Sequence, residues 1–143
     1  MKIQQISLFV ENKPGRIAAP ARLLAQEGVD IRALYLADTE QYGIVRMIVA
    51  DWQKATKLLE NNGFTIKVTE VLAVEVANHP GGLADVLMAL DGTGINIEYM
   101  YAFPCVRGDK AVLIFRFAEP DAAIARLRLA EINLLASDEL LRK

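Results

Sequence analysis

The chain has 143 residues, enough for one ordinary domain or two very small ones, and 16 basic against 18 acidic residues give it a formal net charge of −2. That balance supplies no positive field for a phosphate backbone, so nucleic acid is not an expected partner. Hydrophobic residues make up 53% of the chain, but in short interrupted runs, none near the roughly 20 apolar residues of a membrane helix, and no membrane partner is expected either.

The segment Met1-Lys2-Ile3-Gln4-Gln5-Ile6 enters a strand-like alternation directly, without the charged, apolar and cleavable regions of a signal peptide. Cys105 is the single cysteine, so no internal disulfide can form, and a cytoplasmic protein is expected. Ile6, Leu8 and Val10 alternate as a strand does, and Ile17, Ala21 and Leu24 follow at helical spacing up to the stop residue Gly28. Pro20 falls inside that helix, where a missing N–H and a steric clash cost about 3 kcal/mol outside the first turn. A late helix start or a kink is therefore predicted.

Ile31, Ala33, Tyr35 and Ala37 form a second alternating run and Val45, Met47 and Val49 a third, with Thr39 to Gly43 as the polar turn. Trp52, Ala55, Leu58 and Leu59 return to helical spacing, and Phe64, Ile66 and Val68 alternate with Thr65, Lys67 and Thr69. Extended-looking sequence then continues to Ala77 with no linker rich in Gly, Pro or Ser. From Leu72, Val74 and Val76 the same order resumes: a helix with Leu83, Val86, Leu87 and Leu90, strands at Ile97 to Phe103 and Ala111 to Phe117, a helix with Ile124 and Leu127, and a last strand near Ile132 to Ala136.

The recurrence is a duplication. Asn12-Lys13-Pro14-Gly15-Arg16-Ile17 reappears as Asn78-His79-Pro80-Gly81-Gly82-Leu83, and Gly28-Val29-Asp30-Ile31 as Gly94-Ile95-Asn96-Ile97, both at an offset of 66 residues. Tyr35 falls on Tyr101 in the same register. Further on the register slips by two, and a longer hairpin loop, Val106-Arg107-Gly108-Asp109, is predicted for the second copy. Two units are expected, residues 1–70 and 71–143.

Each unit reads strand, helix, strand, strand, helix, strand, which makes the fold class α+β: two tandem ferredoxin-like βαββαβ units, their antiparallel sheets carrying both helices on one face. A core built from about 70 residues is marginal, so burial between repeats or against another chain is expected. Ile44, Met47, Ile48, Val112 and Ile114 make the third strands apolar on both faces, which predicts cover for the open face too, by a second chain.

The two Asn-x-Pro-Gly loops are the candidate sites. Glycine lets backbone approach a ligand, the free N–H groups at a helix start attract a carboxylate, and the asparagine amide both donates and accepts. Such a set suits the ammonium and carboxylate of an amino acid. The plainer alternative is that Pro-Gly only turns the chain from strand to helix.

Glu11-Asn12-Lys13-Pro14-Gly15-Arg16-Ile17 with Gly28-Val29-Asp30-Ile31 resembles the opening of an ACT domain, the small-molecule-binding regulatory module of amino-acid metabolism, and the second copy resembles it as well. The resemblance covers nearly the whole chain as a tandem pair. It implies sheets joined edge to edge, with the ligand held between the strand-to-helix loop of one unit and the second strand of the other. On that basis the ligand-binding residues are Asn12, Lys13, Pro14, Gly15, Arg16 and Ile17 in the first loop and Asn78, His79, Pro80, Gly81, Gly82 and Leu83 in the second. Gly15 and Gly81 would give close backbone approach, and Asp30, Ile31, Asn96 and Ile97 would reach across from the adjoining unit. Some ACT domains place a histidine just before the asparagine; Val10 and Val76 stand there in this chain, which favours a ligand less polar than serine. The implied function is a regulator without catalysis, expected as a homodimer, that acts on an enzyme in trans or gates assembly as a subunit. Because Asn96 replaces Asp30, the better-formed site is expected around Asn78 and Asn96.

No cofactor or metal is expected, since His, Cys and carboxylates do not cluster at ligand spacing. His79 in its turn reads as a solvated residue or a ligand contact, and Cys105 as inert. Tyr99, Tyr101 and Phe103 alternate like the stacking platform of an RNA-binding sheet, but on the wrong strand for that use, so packing is favoured. Two alternatives remain: a structural subunit with vacant sites, and an acylphosphatase-like enzyme, for which Arg16 is available but is replaced by Gly82 in the second copy.

Overall fold

The strand β1 (Lys2–Glu11) leads through α1 (Ala18–Gln26) to the hairpin β2 (Ile31–Asp38) and β3 (Tyr42–Val49), then to α2 (Trp52–Asn61) and β4 (Thr65–Ala77). The order recurs as α3 (Gly82–Leu90), β5 (Ile97–Arg107), β6 (Lys110–Phe117), α4 (Pro120–Leu129) and β7 (Leu134–Leu135), followed by α5 (Ser137–Leu141). These elements come from a computed structural model that describes residues 2–142, apart from the side chain of Val106; Met1 and Lys143, the outer ends of the expected units, lie outside it. The chain divides into two compact units, Gln4–Thr69 and the residues from Glu70 onward with the start of β1, so the single strand β4 contributes to both.

In the first unit the strands lie in the order β2-β3-β1-β4. Antiparallel pairing sets Ile6 opposite Met47 and Leu8 opposite Val45, so alternate residues of β1 and β3 share one face. Ile6, Leu8, Val10, Val45, Met47 and Val49 pack there with Leu24 of α1 and with Ala55 and Leu59 of α2. Both helices therefore cover the same side of the sheet. Each large aliphatic side chain so buried contributes about 1.5–3 kcal/mol.

The second unit repeats the plan with β5-β6-β4, and β7 pairing β4. Leu72, Val74 and Val76 face Val86 and Leu90 of α3 and Ala123 and Leu127 of α4, around the parallel rings of Phe115 and Phe117, whose centroids are 5.5 Å apart. The fold is α+β, with antiparallel ferredoxin-like βαββαβ repeats.

Four local features refine the sequence reading. Pro20 does force a late start: with Ile17 as N-cap it is the third residue of α1, in the first turn, where its absent N–H breaks no helical bond. The second hairpin does not have the longer loop. Its strands run on until Arg107 pairs with Lys110, a bulge between Phe103 and Val106 absorbs the added length, and only Gly108 and Asp109 make the turn. The last strand shrinks to two residues because Ala136 begins a capping arrangement, donating its N–H to Glu139, and α5 follows. Finally, Ile48, Val112 and Ile114, on the faces away from the helices, are buried within the single chain, so these residues need no second chain to cover them.

Candidate functional site

Asn12 follows directly on β1, and the loop from it to Ile17 is exposed throughout. The asparagine closes the sheet end: its backbone N–H donates to Gln41 O at 3.0 Å, and its Nδ2 donates to Thr39 O at 3.3 Å and Glu40 O at 3.4 Å. Its amide nitrogen is thus committed to the β2–β3 turn. Lys13 and Arg16 fold back on Glu11, at 3.1 and 3.8 Å. The hydrogen bond and charge of Lys13, then the charge of Arg16, hold the Glu11 carboxyl below its ordinary range. The two cations of the loop are therefore already engaged by a carboxylate.

The second loop is built differently. The Asn78 backbone N–H donates to Asp109 O at 2.9 Å, matching the first copy, but among the described residues no group takes up the Asn78 side chain, which is exposed. Gly81 adopts φ +97° as the N-cap of α3, and Asp85 N–H donates to its carbonyl at 3.0 Å. His79 is exposed, and its Nδ1 lies 2.8 Å from Pro80 O; a carbonyl only accepts, so Nδ1 carries the proton.

Gly81 and Gly15 have open space where a side chain would stand, and both adopt a positive φ, +97° and +82°. Gly82 is crowded by its own chain, since a Cβ there would come within 1.9 Å of Ala77 O. That absent side chain lets α3 begin two residues earlier than α1, hard against the end of β4. Arg16 stands at the equivalent place in the first unit and cannot make this approach. Ile17 and Leu83 also correspond, and both leave part of an apolar side chain exposed beside their loops, at 38% and 41%.

Within each unit, the predicted partners of the loops lie elsewhere. Asp30 precedes β2, and its carbonyl accepts from Ala50 N–H at 3.0 Å beyond Val49, whereas the Asn12 loop adjoins Tyr42 at the other end of β3. Tyr42 and Val49 are seven residue steps apart along the strand, about 23 Å. Asn96, whose carbonyl accepts from Ala118 N–H at 3.1 Å, is likewise at the far end of its sheet from Asn78. Neither residue completes the loop of its own unit. Asp30 and Asn96 are exposed, while Ile31 and Ile97 pack on their units' cores. Val10 and Val76 are core residues as well.

Several residues outside the loops can be placed. Tyr101 and Phe103 are buried, which removes the stacking platform. Arg16, the candidate for phosphate chemistry, is tied to Glu11. Among the described residues no three His, Cys, Asp or Glu side chains gather in a way that could hold a metal ion, and no helix is long and apolar enough to cross a membrane.

Two βαββαβ units, each with an Asn-x-Pro-Gly turn at the start of its first helix, define a duplicated ferredoxin-like module. The chain belongs to the ACT domain family, matching the ACT domain pair over residues 1–143. It is similar to protein BT0572 from Bacteroides thetaiotaomicron, at 37% identity and a TM-score of 0.92, over 100% of this chain and 98% of that one. The regulatory subunit of aspartate kinase from Thermus thermophilus shares the fold at 20% identity and a TM-score of 0.64, over 89% of this chain and 91% of that one. That from Thermus flavus does so at 20% identity and 0.62, over 90% of each. No curated protein was found to match the sequence.

Proposed function

We propose that this protein is a regulator without catalysis of its own, which binds an amino acid or a close analogue at its strand-to-helix loops and acts on an enzyme in trans. The observation that carries this reading is the second loop. An uncommitted asparagine side chain, an open left-handed glycine and the N-terminus of a nine-residue helix adjoin one another there. The asparagine supplies a donor and an acceptor, the helix start favours a carboxylate, and the exposed part of Leu83 offers an apolar contact for the side chain of the ligand. Asn96 would be contributed by an adjoining ACT unit, as Asp30 would be for the first loop. The ACT-pair architecture shared with separate regulatory subunits of aspartate kinase supports action on another chain. The output is then a difference in ligand affinity between two states of the complex.

A thermal-shift screen of the amino acids tests the reading. Ligand at 100 times its dissociation constant adds about 2.7 kcal/mol, which raises the melting temperature by several degrees in a chain of this size. No shift with any amino acid or analogue overturns the reading in favour of a structural subunit with vacant sites. The two asparagines separate binding from folding. Asn78→Ala is expected to abolish the shift and leave the ligand-free protein unchanged, whereas Asn12→Ala lowers stability by about 1 kcal/mol because it unpins the β2–β3 turn. A full shift in Asn78→Ala would remove the site assignment.

A further inference from the structure

In the first unit β1 and β3 are neighbours, and their pairing sets Phe9 opposite Ile44 and Glu11 opposite Tyr42. These residues alternate with Leu8, Val10 and Val45 of the core, so they stand on the face away from the helices. Phe9 is 40% exposed and Tyr42 58%. The two aromatic residues occupy diagonal positions on adjacent strands, about 7 Å apart. The backbone under Tyr42 is fixed: its carbonyl accepts from Thr39 N–H at 2.7 Å, its N–H donates to Thr39 Oγ1 at 3.2 Å, and Asn12 pins the rest of the turn. A shallow hollow of about 310 Å³ opens beside Tyr42, bounded by Thr39, Glu40 and Gln41.

Cations stand at the margin of this platform. Glu11, opposite Tyr42, holds Lys13 at 3.1 Å and Arg16 at 3.8 Å, and all three side chains are exposed. Exposed ion pairs of this sort are weak, so a doubly charged phosphate can take both cations from the single carboxylate. The second repeat lacks the whole set. Where Phe9 and Tyr42 stand it has Glu75 and Lys110, with Glu75 paired to Arg107 at 3.2 Å, and His79 and Gly82 replace Lys13 and Arg16.

We propose that this face of the first unit binds a mononucleotide, its base stacked on Phe9 and Tyr42 and its phosphate held by Lys13 and Arg16. Exposed rings on the neighbouring inner strands of a βαββαβ sheet are a means of stacking bases, and every base offers a flat face to them. The charge balance selects a free nucleotide over a strand of RNA. The chain as a whole is net negative, and the next row of the same face is closed by its own residues: Arg46 lies over the Tyr35 ring at 5.6 Å and donates to its hydroxyl at 2.7 Å. The site lies apart from the Asn78 loop and does not rest on the function proposed above.

Isothermal titration calorimetry of the full chain with adenosine monophosphate tests the site. The nucleotide is expected to bind about 10-fold more tightly than adenosine, which lacks the phosphate, and than ribose phosphate, which lacks the base. Tyr42→Phe should bind it as the parent does, whereas Tyr42→Leu and Phe9→Leu, which keep apolar bulk but lose a ring, should each weaken it by about 10-fold. The double variant Lys13→Ala, Arg16→Ala should reduce its affinity to that of adenosine. No binding of adenosine or guanosine monophosphate, equal binding of ribose phosphate, an affinity indifferent to Tyr42→Leu, or a single-stranded RNA oligomer held far more tightly than the mononucleotide would overturn the proposal. Nucleotide binding by a protein that no amino acid stabilises removes only the amino-acid reading, and the reverse result removes only this site.

Discussion

At Gly82 the missing side chain is required by the backbone, since any Cβ would lie 1.9 Å from Ala77 O and 3.0 Å from Ala77 C. Neither atom can yield without moving the end of β4. Gly82→Ala is therefore expected to destabilise the protein by about 2–4 kcal/mol, measured from the urea unfolding midpoint. A motif of two adjacent glycines shows that the turn is special but not which glycine is crowded and which merely needs a positive φ. Glu131 presents the opposite case. It follows the end of α4 with φ +60°, at the place where the first unit has Gly63 with φ +83°. A left-handed conformation costs a residue with a Cβ about 1–2 kcal/mol, part of which glycine returns through the entropy of its unfolded chain. Glu131→Gly should accordingly raise stability by about 1 kcal/mol, visible as an increase of a few degrees in the melting temperature.

At the scale of elements, the two repeats solve the same problem with different residues. Asp51 caps α2 by accepting the Lys54 N–H at 3.1 Å, while Glu119, in the same position before α4, makes no such bond and is followed by Pro120 at the helix start. Asp51→Ala should cost about 1 kcal/mol and Glu119→Ala much less, a contrast that chemical denaturation of the two variants would reveal. The strands and helices themselves could be read from hydrophobic period, because one buried face per element leaves a mark at every second or every third to fourth residue, as Ile6-Leu8-Val10 and Val86-Leu90 do. Where the period carried no mark, the reading failed. The bulge at Phe103 and the short α5 depend on local hydrogen bonds, and the start of α5 cuts the last strand expected near Ile132 to Ala136 down to the two residues of β7.

For the molecule as a whole, duplication was legible in the offset of the two loops, and the loops were legible as candidate sites, because Asn, Pro and Gly recur for local backbone reasons. The division of labour between the copies was not. Asn12 and Asn78 are the same letter, yet one side chain is bound to the turn Thr39–Gln41 and the other is uncommitted, a difference set by residues 27 or more positions away. In the same way Tyr42 reads as part of the polar turn Thr39 to Gly43 until the pairing of β1 with β3 sets it beside Phe9 on one exposed face.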